Sequence, residues 1–153
     1  SFNYVNDTNR NDIESISVCH DDTYAYFRIT TLKNITSYVS GDQGWMNVYI
    51  GTDSGTDNLF GYEYVLNKSV EGNKTSLCHR VSGKWEKISD GDIYVKENVM
   101  QIRVKLSDLG LNQENYTFTF KVTDNVSKEE DILSYYNSGD AAPIGRLSYT
   151  YGY

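Results

Sequence analysis

GWMNVYIGTDSGTDNLFGYEYVLN, residues 44–67, reads as a strand, an acidic glycine-bearing loop and a second strand. Side chains alternate across a strand, so over residues 45–50 Met46, Val48 and Ile50 share one face while Trp45, Asn47 and Tyr49 share the other. The aliphatic face is core. The opposite face carries large flat rings and needs a separate explanation. Asp53, Ser54, Gly55, Thr56, Asp57 and Asn58 have a composition that blocks both helix and strand, and a tyrosine-rich strand resumes at Tyr62.

The same alternation recurs on either side. A hairpin is expected from strands over 13–20 and 23–31 joined by Asp21-Asp22, the second with Ala25, Phe27 and Ile29 inward and Tyr24, Tyr26 and Arg28 outward. Residues 33–43 read as a loop. Further strands are expected over 76–81 and 84–88 around Ser82-Gly83, then over 93–95, 100–106, 116–123 and 146–151. Between them lie at most a helical turn at 107–110 and a short helix or loop at 129–136, where Ile132-Leu133 is the apolar anchor. Short strands with turn signals between them and no long helical periodicity point to an all-β chain. The expected architecture is an antiparallel β-sandwich of the jelly-roll or immunoglobulin-like two-sheet kind. Its core is expected at Phe27, Ile29, Val48, Ile50, Ile102, Val104, Phe118 and Phe120. No repeat, linker or low-complexity tract divides residues 1–153, which read as one domain. A fold of that length buries roughly 70% of its unfolded surface, so it requires no disulfide or metal staple.

The net charge of −7, with acids and bases interspersed, argues against nucleic acid and against an anionic membrane surface as partners. No stretch is long or apolar enough to span a bilayer. Fourteen Tyr, five Phe and two Trp form an aromatic surplus suited to surfaces wet at one end and apolar at the other, as in extracellular binding modules. Beginning at Ser1 without a signal peptide, the chain reads as a domain excised from a larger extracellular or cell-surface protein. Its Asn-x-Ser/Thr sequons at Asn6, Asn34, Asn67, Asn73, Asn115 and Asn125 are read as composition. Cys19 and Cys78 lack CxxC spacing, which rules against zinc and thioredoxin-like sites and leaves either a disulfide or two free thiols.

The outward faces are of two kinds. Gln101, Arg103, Lys105, Thr117, Thr119 and Lys121 make an ordinary solvated sheet surface. Tyr24, Tyr26, Arg28, Trp45, Asn47 and Tyr49 would instead form one ring-bearing patch if their strands are neighbours. Pyranose rings stack their C–H faces on aromatic rings, and their hydroxyls need amide, guanidinium and phenol partners. Such a patch supplies both, with Trp85 near a hairpin tip as a further stacking candidate. The plainer alternative is that a loop or an adjoining domain covers this face and makes it a second, smaller core.

The motifs CHDDTYAYFRI (19–29), GWMNVYIGTDSG (44–55), GYEYVLN (61–67), GKWEKI (83–88), VKLSDLGL (104–111) and GDAAPIGRLSYTY (139–151) succeed one another along nearly the whole chain. In that order they resemble the DOMON-like superfamily and, within it, the family 9-like carbohydrate-binding modules of bacterial extracellular glycoside hydrolases. The resemblance implies a β-sandwich and a non-catalytic, glycan-binding role beside the neighbouring domains of a parent enzyme. In some members two tryptophans hold the sugar and calcium binds nearby. Trp45 and Trp85 are the only tryptophans here, and Asp53, Asp57 and Asn58 could supply some of the oxygens that Ca2+ requires. Gly51 stands where related strands often place an Asp.

Other functions find less support. The chain has no HExxH, GxSxG or Walker motif, and no pair of its 21 acids stands in a recognisable glycosidase setting, so it reads as no enzyme. Some DOMON-like domains bind haem through Met and His. Met46 and Met100 fall in the inward phase of apolar strands, and His20 and His79 lie in strands beside cysteines, so no haem is expected. The remaining rival is a structural module that packs on a neighbouring catalytic domain without binding sugar.

Overall fold

The computed structural model describes residues 10–55, 57–126, 128–131, 134–137, 139–143 and 148–152. Ile132-Leu133 and the beginning of the expected last strand at Arg146 lie outside the described residues. The strands are β1 (Ile13–His20), β2 (Tyr24–Thr31), β3 (Asn47–Gly51), β4 (Tyr64–Glu71), β5 (Lys74–Val81), β6 (Lys84–Lys96), β7 (Val99–Lys105), β8 (Phe118–Asp124), β9 (Asp140–Ala142) and β10 (Tyr149–Tyr151). A 3-10 turn at Leu106–Leu109 and the short helix α1 (Ser134–Asn137) complete the elements among the described residues. The fold is all-β, as the alternation predicts.

The layers of the sandwich belong to one hydrogen-bonded sheet, in the order β1-β2-β7-β6-β5-β4-β3-β8-β10 with β9 also on β8. Each pairing is antiparallel. β2 and β8 are distant in that order, yet Phe27 packs on Phe118 and Phe120 with ring centroids 5.8 and 5.9 Å apart. The sheet is therefore folded over on itself. All eight expected core residues are buried, among Leu66, Leu77, Met100 and the other side chains of one cluster.

The fold-over is made by β6. The stretches 84–88 and 93–95, expected as separate strands, belong to one strand whose first part pairs with β5 and whose last part, from Asp92, pairs with β7. Gly91 lies at the changeover, where an added Cβ would stand 2.9 Å from the Arg103 carbonyl oxygen. A strand that bends sharply against a neighbouring backbone needs glycine for this reason. The sheet's two edges then approach each other through side chains: His20 Nδ1 is 2.6 Å from the Tyr151 hydroxyl, and the Ile13 N–H donates to the Asp140 carboxylate. Edge strands tied in this way present less free backbone for unwanted pairing.

A buried polar knot shapes the entry to β3. Met46 has φ 42°, in the left-handed region, and its N–H donates to Asp124 Oδ1 at 3.0 Å. Asp124 is fully buried and also receives Arg10 Nε at 2.8 Å, while Asn67 Nδ2 donates to the Met46 carbonyl at 2.6 Å. This kink interrupts the expected alternation, and Trp45 and Met46 both enter the core. β3 itself lies between β4 and β8 and is buried on both faces. We expect Gly91→Ala to lose about 1–3 kcal/mol in urea denaturation, the usual cost of forcing an atom into occupied space. A loss near zero would mean that the β6 corner has slack.

Candidate functional site

The trough on the outer face of β1, β2, β7 and β6 is the candidate site. Val18, Phe27, Ile102 and Ile93 stand in register across these four strands, and their side chains point inward, so only their backbone floors the outer face. The flanking residues point outward and make two walls. One wall is Cys19, Tyr26, Arg103 and Asp92; the other is Ser17, Arg28, Gln101 and Tyr94. The space between them is a cavity of about 690 Å3 lined by these residues and Asn73. Four strands at ordinary spacing make it about 14 Å long, and its volume lies in the range of ligand sites.

Several contacts hold the walls. Tyr26 donates its hydroxyl to Asp21 Oδ2 at 2.5 Å, and that bond, with backbone N–H donors from Tyr24 and Thr23, holds the Asp21 carboxyl below the usual range. Arg103 lies over the Tyr24 ring at 4.4 Å and donates to Asp92 Oδ2 at 2.6 Å; Lys74 donates to the other Asp92 oxygen at 2.5 Å. Hydrogen bonds from Lys74 and Arg103 lower the Asp92 pKa. Tyr94, by contrast, is 62% exposed. Beyond it, a second hollow of about 630 Å3 shares Asn73, Ile93 and Tyr94 with the first and runs on to residues 34–38.

The expected single patch divides into two. Tyr24, Tyr26 and Arg28 are outward on β2, and its neighbour β7 brings Gln101, Arg103 and Lys105 beside them, so that half of the surface read as ordinary belongs to the same face; Thr119 and Lys121 lie on β8 instead, and Lys121 is buried there rather than solvated. Trp45, Asn47 and Tyr49 are not part of it, because β3 is nowhere adjacent to β2. Trp45 is 2% exposed, donates Nε1–H to the Thr36 carbonyl at 2.9 Å and meets Tyr38 edge-on. Asn47 is buried, with Nδ2 3.4 Å from the carbonyls of Trp45 and Asn67.

Tyr49 belongs to a second cluster with Leu59, Tyr62, Val65 and Cys78, against which Trp85 packs. The loop alternative weighed from sequence therefore describes this face. The Glu129 carboxylate organises its cover, accepting from Tyr49 at 2.5 Å, Lys68 at 2.5 Å and Trp85 Nε1 at 2.9 Å. Arg80 lies over the Trp85 ring at 4.9 Å. Trp85 is thus half-buried in packing. Burial pushes the Glu129 pKa up, but the charge of Lys68 and the three hydrogen bonds outweigh it and hold the pKa below the ordinary value. Burial and the neighbouring Glu129 charge push the Tyr49 phenol well above its usual range.

The polar side chains of the acidic loop take part in turns, its own and the one at Gly83. Asp57 accepts the Gly83 N–H at 2.6 Å and Asn58 Oδ1 accepts the Gly61 N–H at 2.9 Å, while Asp53 sits at φ 56°. Among the described residues no group of three His, Cys, Asp or Glu side chains converges to hold a metal. Sequence reading missed the residue that organises this loop, the buried Glu63, which accepts the N–H groups of Thr52 and Ser54 at 3.1 and 3.0 Å. Gly51 has its own reason to be glycine: a Cβ there would meet the Gly61 carbonyl oxygen at 2.4 Å. Cys19 is exposed and Cys78 buried, and the two are free thiols. His20 stacks on Tyr116 at 3.9 Å, and Met46 and Met100 are fully buried.

Comparison of the chain with protein-family models, with curated proteins and with solved structures gives no match.

Two outcomes follow from this geometry. Trp45→Ala should lose about 3–5 kcal/mol of stability, as for other buried tryptophans, whereas Tyr94→Ala, outward on the sheet, should change it by under ~0.5 kcal/mol; chemical denaturation of both decides. Because the Glu129 pKa is lowered in the fold, its contribution is complete above the ordinary value of 4.5 and lost as pH falls through the lowered one. Denaturation between pH 7 and pH 3 should therefore show a wild-type advantage over Glu129→Gln that shrinks on the acid side. An advantage constant across that range would contradict the charged clamp.

Proposed function

We propose that this chain is a non-catalytic glycan-binding module whose binding face is the outer surface of β1, β2, β7 and β6. The observation that carries the reading is the tyrosine-walled trough across four strands. Tyr26 and Tyr94 offer ring faces to C–H surfaces. Arg28, Gln101 and Ser17 offer hydrogen-bonding groups to hydroxyls. The floor is backbone held rigid by ladder hydrogen bonds, which limits the ordering cost of binding. An extended segment of chain fits such an open trough better than a single sugar ring does. The setting implied by the family resemblance, an accessory module of an extracellular bacterial glycoside hydrolase, belongs to the same proposal.

Affinity electrophoresis of the folded chain through gels containing plant and host polysaccharides tests the reading. At least one polysaccharide should retard the wild type. Tyr26→Ala and Tyr94→Ala should each weaken that retardation roughly fivefold, since aromatic stacking contributes about 1 kcal/mol. Tyr149→Ala, on β10 at the other end of the sheet order, should not weaken it. No retardation in any gel would favour a structural module packed on a neighbouring domain. Retardation unchanged in both trough variants would place the sugar elsewhere.

A further inference from the structure

The charges of the same trough narrow the class of glycan. The chain as a whole is acidic, with 14 basic and 21 acidic residues. On this face the balance is reversed: Arg28, Lys96, Arg103 and Lys105 take outward positions of β2, β6 and β7, against Asp92 and the Asp21 carboxylate that holds Tyr26. Asp92 is already occupied, with Lys74 on one oxygen and Arg103 on the other. It cannot serve Arg28. Among the described residues Arg28 makes no ion pair. Arg28 is an exposed residue, in the wall between Ser17 and Gln101.

We propose that the trough takes a segment of an acidic glycan, a polymer of uronic acid units, with a sugar carboxylate against Arg28. The proposal rests on the glycan-binding reading above. A guanidinium binds a carboxylate through two parallel N–H···O bonds, and such charge-assisted bonds are about twice as strong as neutral ones. A neutral glycan draws only ordinary hydrogen bonds from the same side chain. The tyrosines serve the sugar faces and Arg28 the acid group, so ring stacking and charge recognition fall on one face. Nucleic acid is the less favoured polyanion, because the net charge of −7 opposes a long, densely charged rod.

Calorimetry on the whole chain separates the possibilities. The probes are oligomers of galacturonate, of mannuronate and guluronate, and of glucuronate-containing chains, each beside its carboxyl-reduced neutral counterpart, with a single-stranded oligonucleotide as a control polyanion. At least one acidic oligomer should bind roughly tenfold tighter than its neutral counterpart, and its affinity should fall as sodium chloride is raised. Arg28→Gln should erase the preference while melting at the wild-type temperature. Equal affinity for acidic and reduced oligomers, a preference that survives in Arg28→Gln, or equal binding of the oligonucleotide would each overturn the proposal. Binding of the neutral oligomers alone would overturn it and leave the glycan reading standing; binding of none would overturn it, and the polysaccharide gels then decide the glycan reading by themselves.

Discussion

A single antiparallel sheet cannot bury its apolar face unless it folds over, and the corner at Gly91 of β6 is where this one does so. Before the corner β6 belongs with β5, and after it with β7. The backbone passes so close to Arg103 that no side chain fits. Everything about the candidate site follows from that shared strand. It carries Asp92 and Tyr94 to the side of β7, next to Arg103 and Gln101, and so completes with β2 the two walls of the trough. The same corner turns the inward residues of this layer onto β8, where Phe27 meets Phe118 and Phe120.

Strands with one dry face were legible from sequence. Ala25, Phe27 and Ile29 on β2 and Met100, Ile102 and Val104 on β7 alternate cleanly because their opposite faces meet water. β3 departs from the simple alternation for a physical reason. It is central, covered on both faces, and preceded by a left-handed residue at Met46 that shifts Trp45 out of phase. Nothing in a local pattern announces that shift, since its cause lies in Asp124 and Asn67, distant in sequence. The corner of β6 was illegible for a related reason. Ser89-Asp90-Gly91-Asp92 has the composition of a turn, and here that composition serves a bend within one strand.

The pairing of strands was the other hidden quantity. Sequence placed the tyrosines of β2 correctly on an outer face, but their neighbours on β7 come more than seventy residues later. Long-range register depends on how the whole sheet closes, and local alternation carries no information about it. Of the expected sugar platform, Tyr26 and Arg28 thus line the candidate trough, Tyr24 lies beside it on the same face, and Trp45, Asn47, Tyr49 and Trp85 became packing. The two tryptophans went to packing, Trp45 under the loop at Thr36 and Trp85 against the Glu129 clamp. Their ring nitrogens both donate hydrogen bonds within the protein, a sign that the indoles serve structure.

On the proposal above, ligand meets the β2–β7–β6 face and leaves the indole-bearing cluster untouched. Titrating the isotope-labelled chain with a pooled set of plant-wall and uronate oligosaccharides, while following backbone amide resonances, tests it residue by residue. The shifts should concentrate at 17–19, 26–28, 92–94 and 101–103. Shifts concentrated instead at 45–50, 57–63 and 83–85 would contradict it.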